Sequence, residues 1–525
     1  MSAHERRIVQ FLSKRSSYSH PVGTIERRET HVSHVFLAGA FAYKLKKPVK
    51  FPFLDASTLS RRRRFCQLEL SLNRRLAPTV YLSVVPITEQ PRGLTLGGKD
   101  RAIEWLVKMR RLPEDRMLDR LVARRAVSRR DMERIADVLV RFFRRAARSR
   151  LISRYGEPAQ VAALVLGNLQ ECQPFLGTLY SDDDRAFLEA AYRQYLTLHE
   201  PLLARRVRGG RIIDGHGDLR CENICLTDPV NIFDCVEFQP AFRGGDLAND
   251  FSFLVMDLEF RGRDDLAHAL LARYRNRLHD PTFDRVLPLY KCHRTLVRGK
   301  VRGLAWLQHP NTAQGRRVRG LSRKHFQLAL RYARAFAPPR LIVIGGLIGT
   351  GKSTLAKSLA EALGAVWLRT DEIRRKEFAH KRQAGQEFSG GLYAPSVSEM
   401  VYQQLIRRAE SLVRRGGSVI CDGTFSKATG REALRRIAAR RGASFHFFEC
   451  VVPRAVALQR VAKRYAARTD LSEAQPEHYD RLKAGFEPVR GWPSRDWTRL
   501  SDNRPTAQTF QAALDALRRA WDVLV

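Results

Sequence analysis

Apolar and polar positions follow two different rhythms along this chain. Residues 32–49 alternate apolar with small or polar side chains, the period-2 pattern of strands, and residues 80–87 and 102–109 read as further strands. Between them, Phe65, Leu68, Leu72 and Leu76 place one apolar stripe on a helix over 61–76. From 114 to 205, Leu, Val and Phe recur at helical spacing over a length that suits several packed helices, and 266–307 continues in the same way to about Phe336. Ala337-Pro338-Pro339-Arg340 breaks that pattern. Beyond it, apolar runs at 341–344, 365–368, 418–421 and 445–452 alternate with amphipathic runs at 353–363 and 456–468. The pattern predicts an α+β domain over residues 1–336, strand-rich at about 30–112 and helical at about 113–336. An α/β domain over 340–525 follows, a parallel sheet with helices on both faces. A chain of 525 residues is too long for one ordinary core.

Gly346-Leu347-Ile348-Gly349-Thr350-Gly351-Lys352-Ser353 fits G-x-x-x-x-G-K-[ST] at every fixed position, between a predicted strand and a predicted helix. Glycines there let backbone N–H groups approach a polyphosphate, and the helix N-terminus adds positive dipole. Gly346, Gly349, Thr350, Gly351, Lys352, Ser353 and Thr354 are therefore the candidate nucleotide-binding residues, with Ser353 also a Mg²⁺ ligand. Further on, Asp371 and Arg374 lie three apart at a helix start. A carboxylate there can take a proton from an acceptor hydroxyl, and the arginine can hold an acceptor phosphate; a plain helix cap is the simpler reading of Asp371. Asp422 ends an apolar strand as a Walker-B-like ion or water holder. Arg460, Arg464 and Arg468 share one helical face, which suits a lid over a transferring phosphoryl group, Arg460 and Arg464 foremost.

The front half carries a second set. Phe41-Ala42-Tyr43-Lys44 has the shape of the V-A-I-K strand of kinase folds; Ala42 and Lys44 share one face, and Lys46, of the same parity, is a rival for the phosphate-binding role. Glu69 sits where its helix can aim a carboxylate at Lys44. The basic run Arg61–Arg64 reads as a solvated helix start, and Arg110-Arg111-Leu112-Pro113 as a hinge between lobes. His216-Gly217-Asp218-Leu219-Arg220-Cys221-Glu222-Asn223 satisfies H-x-D-x-x-x-x-N, and Asp234 ends a short apolar strand eleven residues on. Asp218 is the candidate for orienting an acceptor hydroxyl, Asn223 and Asp234 for holding metal, and His216 for bracing the loop. Lys291, Arg294, Arg298 and Arg302 form a basic stripe that could receive an anionic substrate or face water, the second being slightly favoured.

On these motifs the chain from about Val32 to Leu258 resembles the aminoglycoside phosphotransferase family, which shares the protein-kinase fold. Gly245-Asp246-Leu247-Ala248-Asn249-Asp250 resembles that family's acidic helix start, which braces the catalytic loop. No G-x-G-x-x-G precedes Lys44, Cys235-Val236 stand where protein kinases have Phe-Gly, and no acidic patch for a polycationic antibiotic is evident. The stretch from about Arg340 to Pro488 resembles small P-loop kinases such as polynucleotide 5′-hydroxyl kinase, gluconate kinase and zeta-toxin-like enzymes. The whole is similar to a bacterial fusion of an aminoglycoside phosphotransferase-like domain with a P-loop kinase-like domain. The resemblance implies ATP and Mg²⁺ as cofactors and phosphorylation of a hydroxyl, without naming which hydroxyl.

Composition adds a charge argument. With 93 Lys and Arg against 54 Asp and Glu, the net charge of +39 favours anionic ligands: nucleotides, phosphorylated substrates, nucleic acid or acidic lipid. Hydrophobic content of 44% is that of a globular protein. The N-terminus lacks a long apolar segment, no run of apolar residues is long enough to span a bilayer, and the eight cysteines lack disulfide-framework spacing, so the expected location is cytoplasmic. The expected function is a bifunctional kinase acting on small-molecule hydroxyl acceptors, with nucleic acid possible for the second domain. Two alternatives stand beside it: a nucleic-acid end-processing kinase with a non-catalytic front module, and a ligand-sensing module that regulates a C-terminal ATPase.

Overall fold

The computed structural model describes residues 2–51, 54–91, 93–378, 393–467, 475–501, 503 and 505–521. The chain divides into two compact units, Met1–Val161 with Arg206–Thr295 and Ala162–Arg205 with Leu296–Val525. The division is thus not a single cut near residue 336, because two helical stretches group with the C-terminal sheet. Packing explains this. Leu198 lies in the same core as Ile342, Ile344, Leu355 and Leu359. Thr197 Oγ1 donates to the Ala362 carbonyl at 2.6 Å, and the buried Arg518 guanidinium donates to the carbonyls of Thr197 and Leu198 at 2.8 and 3.1 Å.

The first unit contains a six-stranded antiparallel sheet in the order Ile25–Glu29, Ser33–Ala38, Phe41–Lys46, Ala102–Arg110, Tyr81–Gln90, Gly93–Leu96. Strand parity assigns its two faces. Tyr43 and Leu45 join Phe36, Ile87 and Leu106 beneath the helix Ala3–Leu12, which contributes Ile8, Val9 and Leu12. That helix is started by a capping box of Ser2 and Glu5. The opposite face, with Ala42, Lys44 and Lys46, meets the helix Leu59–Asn73 through Cys66 and Val107.

The buried stripe of Leu59–Asn73 is Arg62, Cys66, Glu69 and Asn73, not the apolar set expected from the sequence. Arg62 therefore does not face water with its neighbours: it is buried and grips Glu104 with three N–H···O contacts of 2.8 to 3.0 Å. A helix that buries charge does so against partners, since an isolated buried ion is too costly to keep. In the same unit, the helix Leu247–Phe260 is buried over its first twelve residues. Phe143, Phe251, Tyr274 and Phe283 form an aromatic cluster around it.

The second unit is built on a fully parallel sheet in the order Val366–Arg369, Val419–Asp422, Arg340–Gly346, Ser444–Val451, Trp497–Ser501. Its strands are apolar runs because both faces are covered. The helices Lys352–Leu363 and Thr506–Ala520 pack on one face, and Pro395–Arg414 and Ala428–Arg440 on the other. The Gly-rich loop leaves the central strand, where the strand order reverses and ligand crevices form in such sheets. No helix among the described residues is long and apolar enough to cross a membrane.

One buried histidine makes the second unit sensitive to acid. His446 is fully buried, with Nδ1 at 2.9 Å from the Arg495 carbonyl and Nε2 at 3.0 Å from Thr498 Oγ1. Burial pushes its imidazole down to about 4. The folded state thus holds it neutral while the unfolded chain protonates near its ordinary value of about 6.5. Stability is full above that value and falls as pH drops toward 4. Between pH 7 and 4.5 the wild type should lose about 2–3 kcal/mol more than His446→Gln in urea unfolding followed by tryptophan fluorescence, and equal losses would contradict this.

Candidate active sites

In the first unit the sheet and the helix Leu59–Asn73 converge on Lys44. Its Nζ donates to Glu69 Oε1 at 2.8 Å and to Asp234 Oδ1 at 2.7 Å. The rivalry with Lys46 resolves into sharing: Lys46 Nζ donates to the other Glu69 oxygen at 2.5 Å and also to Glu237. Burial pushes the Lys44 ammonium down, but the Asp234 and Glu69 carboxylates more than reverse this and hold it well above the usual lysine range. For Glu69, burial raises the carboxyl and the two lysines lower it further still, so it stays ionised with no exposed surface. Burial, with Glu69 adding to it, raises the Glu237 carboxyl more than Lys46 and Lys44 lower it.

Asp234 is linked in turn to the loop that carries Asp218. The neighbouring Phe233 donates its N–H to the Asn223 carbonyl at 2.9 Å and accepts from His216 Nε2 at 3.0 Å. His216 Nδ1 then accepts the Asp218 N–H at 3.3 Å; burial lowers this imidazole, against the pull of Asp250, so it is neutral and braces the loop. Asn223 Nδ2 donates to the backbone carbonyl and Oδ2 of Asp218 at 2.8 and 2.9 Å. Asp250, near the start of its helix, accepts the N–H groups of His216 and Gly217 at 2.7 and 2.8 Å. A Cβ on Gly215 would lie 2.7 Å from the same carboxylate, so only glycine admits it.

Other residues of this site were not singled out in the sequence. Arg220 clamps Asp218 with both arms, at 2.7 and 2.8 Å. Burial disfavours its charge, but Asp218 raises the guanidinium further above its ordinary range. The signal was available, since Arg220 follows Asp218 by two positions on extended backbone. Arg75 donates to the carbonyls of Asp214 and Gly215 at 2.8 and 2.7 Å from the far end of its helix. Arg294, expected to face water, is buried and donates to Asn249 Oδ1 at 2.8 Å and the Gly217 carbonyl at 3.2 Å. Lys291 of the same stripe pairs with Glu259 at 2.7 Å. Beside the hinge, a cavity of about 670 Å³ is lined by Gly39, Ala40, Arg110, Leu112 and Pro113 among others. Gly39-Ala40 is the two-residue turn between Ser33–Ala38 and Phe41–Lys46, in place of a long glycine-rich loop.

The second unit assembles its own site. Gly346, Gly349 and Gly351 all have positive φ, and a Cβ on Gly346 or Gly349 would strike the carbonyl of Cys450 at 2.3 Å or of Ala457 at 2.4 Å. Gly351 caps the helix Lys352–Leu363. Lys352 Nζ donates to the Leu347 carbonyl at 2.6 Å, across the loop that a polyphosphate would fill, and Thr350 Oγ1 donates to the same carbonyl at 2.8 Å. Burial lowers the Lys352 ammonium, opposed by Asp422; burial raises the Asp422 carboxyl, opposed by Lys352 and by a hydrogen bond from Ser353. Asp371, two residues beyond the strand Val366–Arg369, acts electrostatically on both. Arg374 is buried one turn on, with an arm 3.2 Å from Ser398 Oγ and its guanidinium over the Tyr393 ring. Arg464 is close enough to lower Lys352, and Arg460 lines a cavity of about 270 Å³ with Gly351, Thr354, Thr506, Thr509 and Phe510. The last three had no signal in the sequence. Arg468 lies outside the described residues.

Among the described residues no cluster of three or more His, Cys, Asp or Glu side chains could hold a metal by itself. The donors fit a divalent ion that shares its shell with phosphate oxygens and water. Asn223 uses its amide nitrogen on Asp218, which leaves its carbonyl oxygen for a cation. The Asp234 side chain is 45% exposed, with one oxygen on Lys44. Ser353 and Asp422 make the corresponding pair in the second unit.

The chain is 35% identical over 458 residues to uncharacterized proteins of Mycobacterium tuberculosis and Mycobacterium bovis, covering 86% of this chain and 89% of each relative. It belongs to their family. Residues 341–489 match the AAA domain family model, which contains the Gly-rich loop, Asp371, Asp422, Arg460 and Arg464. Among solved structures, a choline/ethanolamine kinase family protein from Mesorhizobium loti aligns over 63% of this chain and 99% of its own, at 14% identity and TM-score 0.38. A gluconokinase from Sinorhizobium meliloti aligns over 35% and 95%, at 20% identity and TM-score 0.28. Within the second unit, the stretch 341–489 is thus an AAA domain, and its strands belong to the parallel sheet.

The shared carboxylate of Glu69 yields a stability prediction. Glu69→Ala leaves two buried ammonium groups short of a counter-ion, which should cost about 3–5 kcal/mol in urea unfolding. Lys46→Met should cost less, because Lys44 still neutralises Glu69. The reverse ranking would show that Lys46, not Glu69, holds the cluster together.

Proposed function

We propose that this protein is an ATP-dependent phosphotransferase with two nucleotide sites, each transferring the γ-phosphoryl group to a hydroxyl acceptor. The observation that carries the first site is the chain of contacts Glu69–Lys44–Asp234 together with Asp218–Asn223, contributed by separate elements. Lys44 would hold the phosphates, fixed by Glu69. Asn223 and Asp234 would hold Mg²⁺, which supplies charge neutralisation on the phosphate oxygens. Asp218, held by both arms of Arg220, would orient the acceptor hydroxyl and accept its proton. In the second site the backbone of residues 346–351 and Lys352 cradle the phosphates, with Ser353 and Asp422 as the ion pair of ligands. Asp371 meets the acceptor hydroxyl, and Arg460 and Arg464 offset the charge that develops during transfer.

The buried Arg374 beside Asp371 favours an acceptor that carries an anionic group in the second site. A phosphorylated small molecule or a nucleic acid with a 5′-hydroxyl end both meet that requirement. For the first site the acceptor is a small molecule. Both sites work mainly by positioning and electrostatics.

Two variants of the full chain separate the sites. With labelled ATP and pooled metabolites, antibiotics and 5′-hydroxyl oligonucleotides as acceptors, Asp218→Asn should lower one transfer activity by about 10²–10⁴-fold. Lys352→Ala should abolish a different one. If Lys352→Ala removes all ATP turnover while Asp218→Asn changes nothing, the first unit is a binding or sensing module and the two-catalyst reading fails.

A further inference from the structure

Positive charge is spread widely over this protein, but one stretch carries no acidic residue of its own. Residues 285–360 contain 16 Lys and Arg and no Asp or Glu, where an even spread of the 54 acidic residues would place about eight. Within it lies the helix Ala313–Phe336. One side of this helix is core: Phe326, Leu328, Ala329, Leu330, Tyr332, Ala333 and Phe336 are buried. The other side exposes Arg316, Arg317, Arg319, Arg323, Lys324, Arg331 and Arg334.

None of these seven has a carboxylate partner among the described residues. Arg316 and Arg323 donate to the backbone carbonyls of Asn311 and Thr178, and Arg319, Arg331 and Arg334 lie over the rings of Trp306, Tyr332 and Phe187. Elsewhere, surface arginines meet acids: Arg193 pairs with Glu189, Arg273 with Asp137 and Arg275 with Asp284. Holding seven like charges on one face costs self-repulsion that a bound polyanion relieves.

We infer that the exposed face of Ala313–Phe336 is a nucleic-acid docking surface that grips the phosphodiester backbone. From Arg316 to Arg334 the charges extend about 27 Å along the helix, the rise of about eight base pairs of a duplex. The exposed positions between them are Gly320, Gln327 and Ala335, so the face has no bulky apolar side chain to enter a bilayer. The same absence of aromatic and amide-rich contacts gives it backbone affinity without base readout. This surface is separate from the two phosphoryl-transfer sites and does not depend on their assignment.

The test is fluorescence anisotropy of the full chain with labelled 20-mers of single- and double-stranded DNA and RNA, across a salt series. Arg316, Arg317, Arg323 and Lys324 are changed together to Gln, and separately to Glu, with circular dichroism confirming the fold. A control chain changes the exposed Arg407, Arg414, Arg415 and Arg436 to Gln. The wild type should bind with a steep negative slope of log K against log salt; the helix variants should weaken binding at least tenfold and flatten that slope by about 3 for duplex DNA. The control should stay within twofold. Absence of wild-type binding, equal loss in the control, or binding only to phosphatidylserine vesicles would overturn the assignment.

Discussion

A carboxylate with no exposed surface, shared by two lysines, is the constraint on which the first unit depends. Glu69 occupies the buried stripe of its helix, and nothing apolar could replace it without stranding Lys44 and Lys46. The ions are mutually satisfied, so the helix, the strand Phe41–Lys46 and the loop of Asp234 hold one arrangement. Lys44 reaches Asp234 across that junction, and Lys46 reaches Glu237 three residues further on. The cluster thereby ties Lys44 to Asp234, the candidate metal ligand. It places the charge of Lys44 where a nucleotide's phosphates would compete with Asp234 for it.

The second unit meets the same task by backbone means. Its loop is shaped by three glycines with positive φ, two of them packed so closely on neighbouring carbonyls that a methyl group has no room. Its carboxylates, Asp371 and Asp422, lie just beyond or at the ends of adjacent parallel strands, where a doubly wound sheet opens its crevice. The two candidate sites thus differ in build: one rests on a buried side-chain ion network, the other on a glycine-shaped loop, a helix start and a single lysine.

Charge in this protein divides into three populations. Arg62 and Arg206 are buried and Arg220 half-buried; all three grip carboxylates, and they specify geometry. Arg75, Arg294 and Arg518 bond backbone carbonyls and pin loops or helices in place. Others face solvent, some beside acids such as Glu189 and Asp284, and on Ala313–Phe336 seven do so on one helix without a carboxylate partner among the described residues. Net charge alone could not separate these populations, because a guanidinium that braces a loop and one that meets solvent are the same letter in a sequence.

What the sequence by itself determined was local. The Gly-rich loop, the H-x-D-x-x-x-x-N block and the strand before Asp234 are short-range patterns whose spacing dictates backbone form, and each stands where that spacing implied. Strand parity also put Ala42, Lys44 and Lys46 on one face. Only the tertiary structure decided which lysine meets which acid, since both share that parity and Glu69 has two oxygens. It turned the helix 59–73 so that a polar stripe, not the leucines, faces inward, because buried partners on the sheet compensate that charge. It also grouped helical stretches around Leu198 and Tyr332 with the parallel sheet, through apolar contacts and carbonyl bonds between residues more than a hundred positions apart. Periodicity reports that a side chain will be covered; it holds no information about the distant surface that covers it.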